Sequence, residues 1–236
     1  MNAFDLDLIL WINRLAHRSE SFDLALGFVA RSDMLTGYVF IVAFWWMWFS
    51  PRGGRERNRE IVLATLAAAC AAIVVGRGLA LLLPFRSRPL FNPVLSFTVP
   101  YGVDQDSVAL RTWSAFPSDH AMMFAAMATG LWFYSRRLGA AAHVYWLATI
   151  GFTRVYLGLH YPTDVLFGAA LGTAMAAGAD GARPRKAIAR LPLAWHDRHE
   201  SSFYAAVFIF TTQIATMFDG PRGLIFSVLK LLKGRL

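Results

Sequence analysis

TRVYLGLHYPTD, residues 153–164, is a short polar interruption between two apolar runs, 140–152 and 165–179. It places an arginine, Arg154, a histidine, His160, and a carboxylate, Asp164, near one point of the chain. Ionisable groups in so apolar a setting are costly unless they have partners or a task. Two more polar segments hold equivalent positions. Pro117-Ser118-Asp119-His120 directly precedes the apolar run 121–134, and Arg86-Ser87-Arg88-Pro89 directly follows the run 61–85.

The runs themselves set the fold class. The chain has 236 residues, of which 56% are hydrophobic and only 16% charged, with a mean hydropathy of +0.44. Soluble domains carry about 25% charged residues. Long apolar blocks predict an all-α integral membrane helical bundle. Five core transmembrane helices are expected, in 22–49 (uninterrupted apolar part 34–49), 61–85, 121–134, 140–152 and 165–179. Residues 4–16, FDLDLILWINRLA, read as an N-terminal amphipathic helix at the interface. The run 203–218 leaves a sixth, C-terminal span open, followed by a basic tail with Lys230, Lys233 and Arg235. The chain therefore divides into an interfacial helix (1–21), a membrane core (22–181), a basic cytoplasmic loop (182–202) and a C-terminal hydrophobic helix with its tail (203–236).

Net charge is +8 at pH 7. The cations fall between apolar blocks, where they act as topology signals, and no nucleic-acid-binding motif accompanies them. Arg52, Arg55, Arg57 and Arg59, then Arg136 and Arg137, then Arg183, Arg185, Lys186 and Arg190 all fall on one side when the spans are counted. The three polar segments fall on the other. Multi-pass insertion in the inner (cytoplasmic) membrane with an extracytoplasmic site is the expectation. Cys70 is the single cysteine, so no intrachain disulfide can form. Asp5 and Asp7 stand where a signal peptide has a basic segment, and no cleavable signal is expected.

Arginines, histidines and an acid suit phosphoryl transfer. The planar fork of Arg88 and of Arg154 binds phosphate oxygens in pairs, and Ser118 adds a hydroxyl where helix N–H groups favour anions. Asp164 lies four residues after His160, one turn on if both are helical. Its carboxylate is expected to accept the Nδ1 proton and leave Nε2 free to attack phosphorus. His120 would protonate the leaving oxygen and later activate water. Asp119 has two open readings: capping the third span or favouring its N-terminus, which is the simpler, and repelling a highly charged substrate or tuning His120. Arg77, inside a span, either reaches a second phosphate or pairs with a buried acid. His17, His143, His196 and His199 read as interfacial or solvent-facing. No metal or cofactor is expected, because arginines around the ligands would oppose a divalent cation.

These three segments resemble the signature of the type-2 phosphatidic-acid phosphatase superfamily, to which vanadium haloperoxidases are related. The third matches as Thr153-Arg154, His160 and Asp164, with Thr where the family often has Ser. The second matches as Pro117-Ser118-Asp119-His120, with Asp119 where Gly is common. The first matches only at Arg88-Pro89. The family's usual Lys falls on Leu81, which leaves Arg77 and Arg86 as substitutes. Over about residues 22–180 the resemblance implies a helical bundle, a phosphohistidine intermediate and no metal. The N-terminal helix, five spans, Asp119 and the weak first motif resemble the bacitracin-resistance type of undecaprenyl-diphosphatase. That implies a lipid (di)phosphate substrate, undecaprenyl diphosphate first, then phosphatidic acid, phosphatidylglycerol phosphate or lipid A phosphate. The bilayer is the expected setting, with no obligate protein partner. A catalytically silent lipid-phosphate binder is the alternative of another class. A transporter is disfavoured because the ionisable residues gather at one face without a midplane relay.

Overall fold

Alanine, leucine and methionine fill the apolar runs and wind them into helices, and the chain reverses where Gly, Pro and Ser gather. The computed structural model describes residues 2–106 and 108–220, which leaves the tail with Lys230, Lys233 and Arg235 outside the described residues. Every regular element among them is helical. In order they are α1 (Ala3–Asn13), α2 (Glu20–Arg31), a π-turn (Met34–Tyr38) continuing as α3 (Val39–Phe49), and α4 (Arg55–Leu82). A short 3₁₀ turn (Pro89–Phe91) and α5 (Val108–Thr112) follow, then α6 (Asp119–Tyr134) and α7 (Arg136–Trp146). A π-turn (Leu147–Gly151) carries α7 into α8 (Phe152–Tyr156), ahead of α9 (Pro162–Ala179), α10 (Ala182–Arg198) and α11 (Glu200–Ala215).

The centre is α6. From Ala121 to Leu131 every residue is buried, and α4, α7 and α9 pack around it. Small residues set the spacing, as they do where helices meet without water. Gly172 of α9 lies so close to the Met122 carbonyl that a Cβ would overlap it, and a Cβ on Gly168 would come within 2.6 Å of the Ser118 carbonyl. These contacts hold α9 tight against the first turn of α6, where Ser118, Asp119 and His120 stand.

Helix α4 is long and apolar enough to cross a membrane alone. Two bent pairs reach that length together, α2 with Met34–Phe49 at 66° and α9 with α10 at 77°. The expected first span, 22–49, is therefore not one straight helix. It breaks at Ser32 and Asp33, and α2 turns aside to pack on α8 and on the π-turns. The expected basic loop, 182–202, is also corrected, because most of it is the helix α10. Its start is held by Arg185, which donates to Glu60 at 3.1 Å and pairs with Asp180 at 3.3 Å. Helix α11 runs antiparallel to α3. Trp48 donates to the Tyr204 hydroxyl at 3.1 Å, Trp45 to the Thr211 hydroxyl at 3.3 Å, and Gly37 abuts the Ala215 backbone.

Helix α1 does more than lie at an interface. Asp5 is fully buried and accepts from Arg86 at 2.6 Å, from the Thr163 N–H at 2.9 Å and from its hydroxyl at 2.7 Å. Asn13 pairs with the Thr98 backbone through both amide atoms, at 2.7 and 2.8 Å. His17, expected to be interfacial or solvent-facing, is exposed, and there it stacks on Tyr101 and holds the Val99 carbonyl at 2.7 Å. Asp23 accepts from the Tyr156 hydroxyl and from the Tyr101 N–H. The long 90–116 connection is thus pinned from the N-terminal segment. His196, expected near solvent, is buried between Asp197, Trp48 and Tyr204.

Candidate active site

His160 stands in the turn between α8 and α9. Its backbone N–H and that of Leu159 both donate to the Arg154 carbonyl, at 3.1 and 3.0 Å. The chain reverses at Gly158, whose φ of +68° favours glycine. A Cβ there would also strike the Phe97 ring at 2.7 Å. The Gly158 carbonyl accepts from the Leu90 N–H at 2.9 Å, which draws the first polar segment onto the third.

That segment brings Arg88 to His160. Its Nε donates to the Leu110 carbonyl at 3.1 Å, and one terminal nitrogen donates to the Leu159 carbonyl at 2.7 Å. The same nitrogen lies 3.4 Å from His160 Nε2. On the other side of the ring, Nδ1 lies 2.7 Å from the Ala115 carbonyl. A carbonyl only accepts, so Nδ1 carries the hydrogen and Nε2 keeps a lone pair beside a guanidinium. Burial first, and Arg88 next, hold the His160 pKa well below the ordinary histidine value, with Asp119 acting the other way. The imidazole is therefore neutral.

The expected His160–Asp164 bond is not the one that forms. Helix α9 starts at Pro162, so His160 precedes it, and Asp164 Oδ2 is 3.9 Å from Nδ1. Asp164 instead accepts the Tyr161 N–H at 2.7 Å and is ion-paired with Arg86. Arg86, offered by the sequence as a substitute for the missing lysine, is held by Asp5, Thr163 and Asp164 and lies 4.1 Å over the Tyr161 ring. It ties α1 to α9. Sequence reasoning missed Asp5, Thr163 and Ala115. Asp5 carried one legible signal, a carboxylate inside an apolar helix; a backbone carbonyl such as that of Ala115 carries none.

Ser118 caps α6, its hydroxyl accepting the Ala121 N–H at 3.4 Å, and its own N–H donates to the Asp164 carbonyl at 3.2 Å. His120 follows in the same turn with its Nδ1 3.0 Å from Asp119 Oδ1. Asp119 is ion-paired with Arg77, which lies 4.3 Å over Trp113. Arg154 donates one long bond to the Ala30 carbonyl, at 3.4 Å, and its Nε is buried with no hydrogen-bond partner among the described residues. Thr153 is fully buried and donates back to the Thr149 carbonyl at 2.7 Å, so it serves its helix. Asp119 is close enough to Arg88, Arg154, His120 and His160 to act on the charge of each. Among the described residues, no cluster of three metal-ligating side chains forms.

Comparison with known proteins accords with this geometry. Residues 61–184 match the PAP2 superfamily. Undecaprenyl-diphosphatase BcrC of Bacillus subtilis is 26% identical over 155 residues, covering 66% of this chain and 72% of that protein. The putative undecaprenyl-diphosphatase YbjG of Escherichia coli is 26% identical over 145 residues, covering 61% and 65%. Among solved structures, Aquifex aeolicus LpxE superposes with a TM-score of 0.54 over 75% of this chain and 95% of its own, at 21% identity. That last likeness speaks to the fold. The match spans the Arg88, His120 and His160 segments together, and the chain belongs to the PAP2 superfamily, as a membrane-associated lipid phosphatase that hydrolyses phosphoric ester bonds.

Proposed function

We propose that this protein removes the terminal phosphate of undecaprenyl diphosphate, yielding undecaprenyl phosphate and inorganic phosphate, at the outer face of the cytoplasmic membrane. The observation that carries the chemistry is His160, neutral, with Nδ1–H on the Ala115 carbonyl and Nε2 3.4 Å from Arg88. Its lone pair attacks the terminal phosphorus while His120 gives a proton to the departing oxygen. A phosphohistidine forms and the lipid leaves. His120 then takes a proton from water, whose oxygen displaces His160 and releases phosphate.

Arg88, Arg154 and Ser118 hold the phosphate oxygens. Arg88 is already aimed by two carbonyls, so little reorganisation accompanies binding. The Nε of Arg154 is buried and among the described residues has no hydrogen-bond partner, which makes it a donor suited to an anion. The substrate choice is supported by the Bacillus subtilis and Escherichia coli relatives, whose names carry that activity. Sidedness is supported by charge: Arg52 to Arg59, Arg136 and Arg137 stand at the helix ends opposite the site. Five crossings are read along Met34–Phe49, α4, α6, α7 through α8, and α9, and α11 makes a sixth beside α3.

Phosphate release by the detergent-purified protein tests the reading. Undecaprenyl diphosphate is compared with phosphatidic acid, phosphatidylglycerol phosphate and lipid A phosphate, in excess EDTA, with His160→Ala as the blank. Fastest release from undecaprenyl diphosphate, dependent on His160, is expected. Faster release from another lipid would reassign the substrate, and release by His160→Ala would remove the mechanism.

A further inference from the structure

Both histidines are held through Nδ1, and only His120 is held by a carboxylate. Asp119 is the first residue of α6, and its Oδ1 accepts the His120 backbone N–H at 2.9 Å as well as the ring at 3.0 Å. An ionised carboxylate only accepts, so Nδ1 carries a hydrogen and Nε2 faces away from Asp119. The second oxygen is ion-paired with Arg77 of α4, whose guanidinium lies over Trp113. Gly76 makes room for this approach, since a Cβ there would come within 2.9 Å of the Met122 sulfur. Capping does not account for the arrangement, because Ser118 already caps α6.

We propose that Asp119 is the positioning residue of His120, held in turn by Arg77 and Trp113, so that Nε2 is presented to the leaving oxygen of the lipid. The proposal rests on the reading of His120 as general acid. The charged groups around the ring are Asp119 on its own helix, Arg154 of α8 and Arg77 of α4. A phosphate anion seated on Arg154 offsets its charge, so the acid is loaded when substrate is in place. In the first step the Nε2 proton passes to the leaving oxygen as the P–O bond breaks and the His160 N–P bond forms. In the second, water returns a proton to Nε2 as its oxygen displaces His160. Asp119 keeps the Nδ1 hydrogen bond throughout and takes up no proton.

The test uses the full chain in detergent, with Asp119→Asn, Asp119→Gly, His120→Ala and the double variant Asp119→Asn/His120→Ala. One readout is steady-state phosphate release from the lipid. The other is the pre-steady-state burst from p-nitrophenyl phosphate, whose leaving group needs no acid. His120→Ala is expected to slow the lipid reaction about 100-fold and Asp119→Asn roughly tenfold, both with the burst rate kept within about twofold. The double variant should lose no more than His120→Ala alone. Asp119→Gly should repeat the Asp119→Asn pattern, and its retained burst reports folded protein. Arg77→Gln should give a smaller loss of the same kind, and Arg77→Lys should restore activity. Equal slowing of burst and lipid turnover by Asp119→Asn, unchanged lipid turnover, or additive loss in the double variant would overturn the proposal. Equal slowing of both reactions by His120→Ala would instead remove the acid reading beneath it.

Discussion

His160 and His120 carry the same ring, each held through Nδ1, yet their settings differ in charge. His160 is buried, donates to a neutral carbonyl and faces Arg88. His120 is partly exposed and leans on the Asp119 carboxylate, with Arg77 behind it. A neutral partner fixes the tautomer without favouring a proton on Nε2. An anionic partner fixes it and favours one. In the proposed mechanism the first is the nucleophile and the second the acid. The difference comes from what stands behind each ring, not from the rings themselves.

The comparison breaks most directly at His160. His160→Ala is expected to lower phosphate release at least roughly 10⁴-fold, for lipid and aryl phosphate alike. Activity within tenfold of the parent would end the assignment. Arg88→Ala comes next, at roughly 10²- to 10³-fold in kcat, because it removes a donor aimed beside Nε2. An effect confined to KM would make Arg88 a ground-state binder only.

Asp164 sharpens the contrast, because the sequence assigns it to His160 and the structure gives it to Arg86. Asp164→Asn is expected to cost about 3–5 kcal/mol of stability, the range for opening a buried ion pair, read as a lower melting temperature in detergent. Its kcat should fall less than tenfold, and the acid limb of kcat/KM should keep its position. A shifted limb would restore the pairing of Asp164 with His160. The smallest effect concerns that limb in the parent enzyme. Burial and then Arg88 disfavour imidazolium at His160, so the nucleophile stays unprotonated as pH falls through the ordinary histidine range. The acid limb should therefore lie below about 6.5, and a pH–rate profile at or above that value would contradict the neutral setting.

The helices were legible because apolar blocks between basic clusters repeat along the chain. Counting them already put Arg88, His120 and His160 at one face, and the helix ends bear that grouping out. The bend at Ser32 was less legible, although Arg31-Ser32-Asp33 interrupts the apolar pattern. Helix α10 was read as a loop because charge density hides a helix that need not be buried all round. Asp5 fell in a segment read as an interfacial helix, and Asp23 drew no reading at all. Each is buried against at least one partner that lies 78 or more residues away in the chain, and no local pattern announces such a partner.

Residue types and spacing by themselves determined that this chain forms apolar helices with arginines, histidines and acids gathered at one end, because hydrophobic length and charge are local properties. Only the tertiary structure decided which atom meets which. Asp164 is four residues from His160, yet a carbonyl 45 residues away holds the ring, and Arg86 takes the carboxylate. A buried polar group settles on the best partner left after every nearby donor and acceptor has competed for it. That competition is decided by packing, and it is what gives two identical rings different partners.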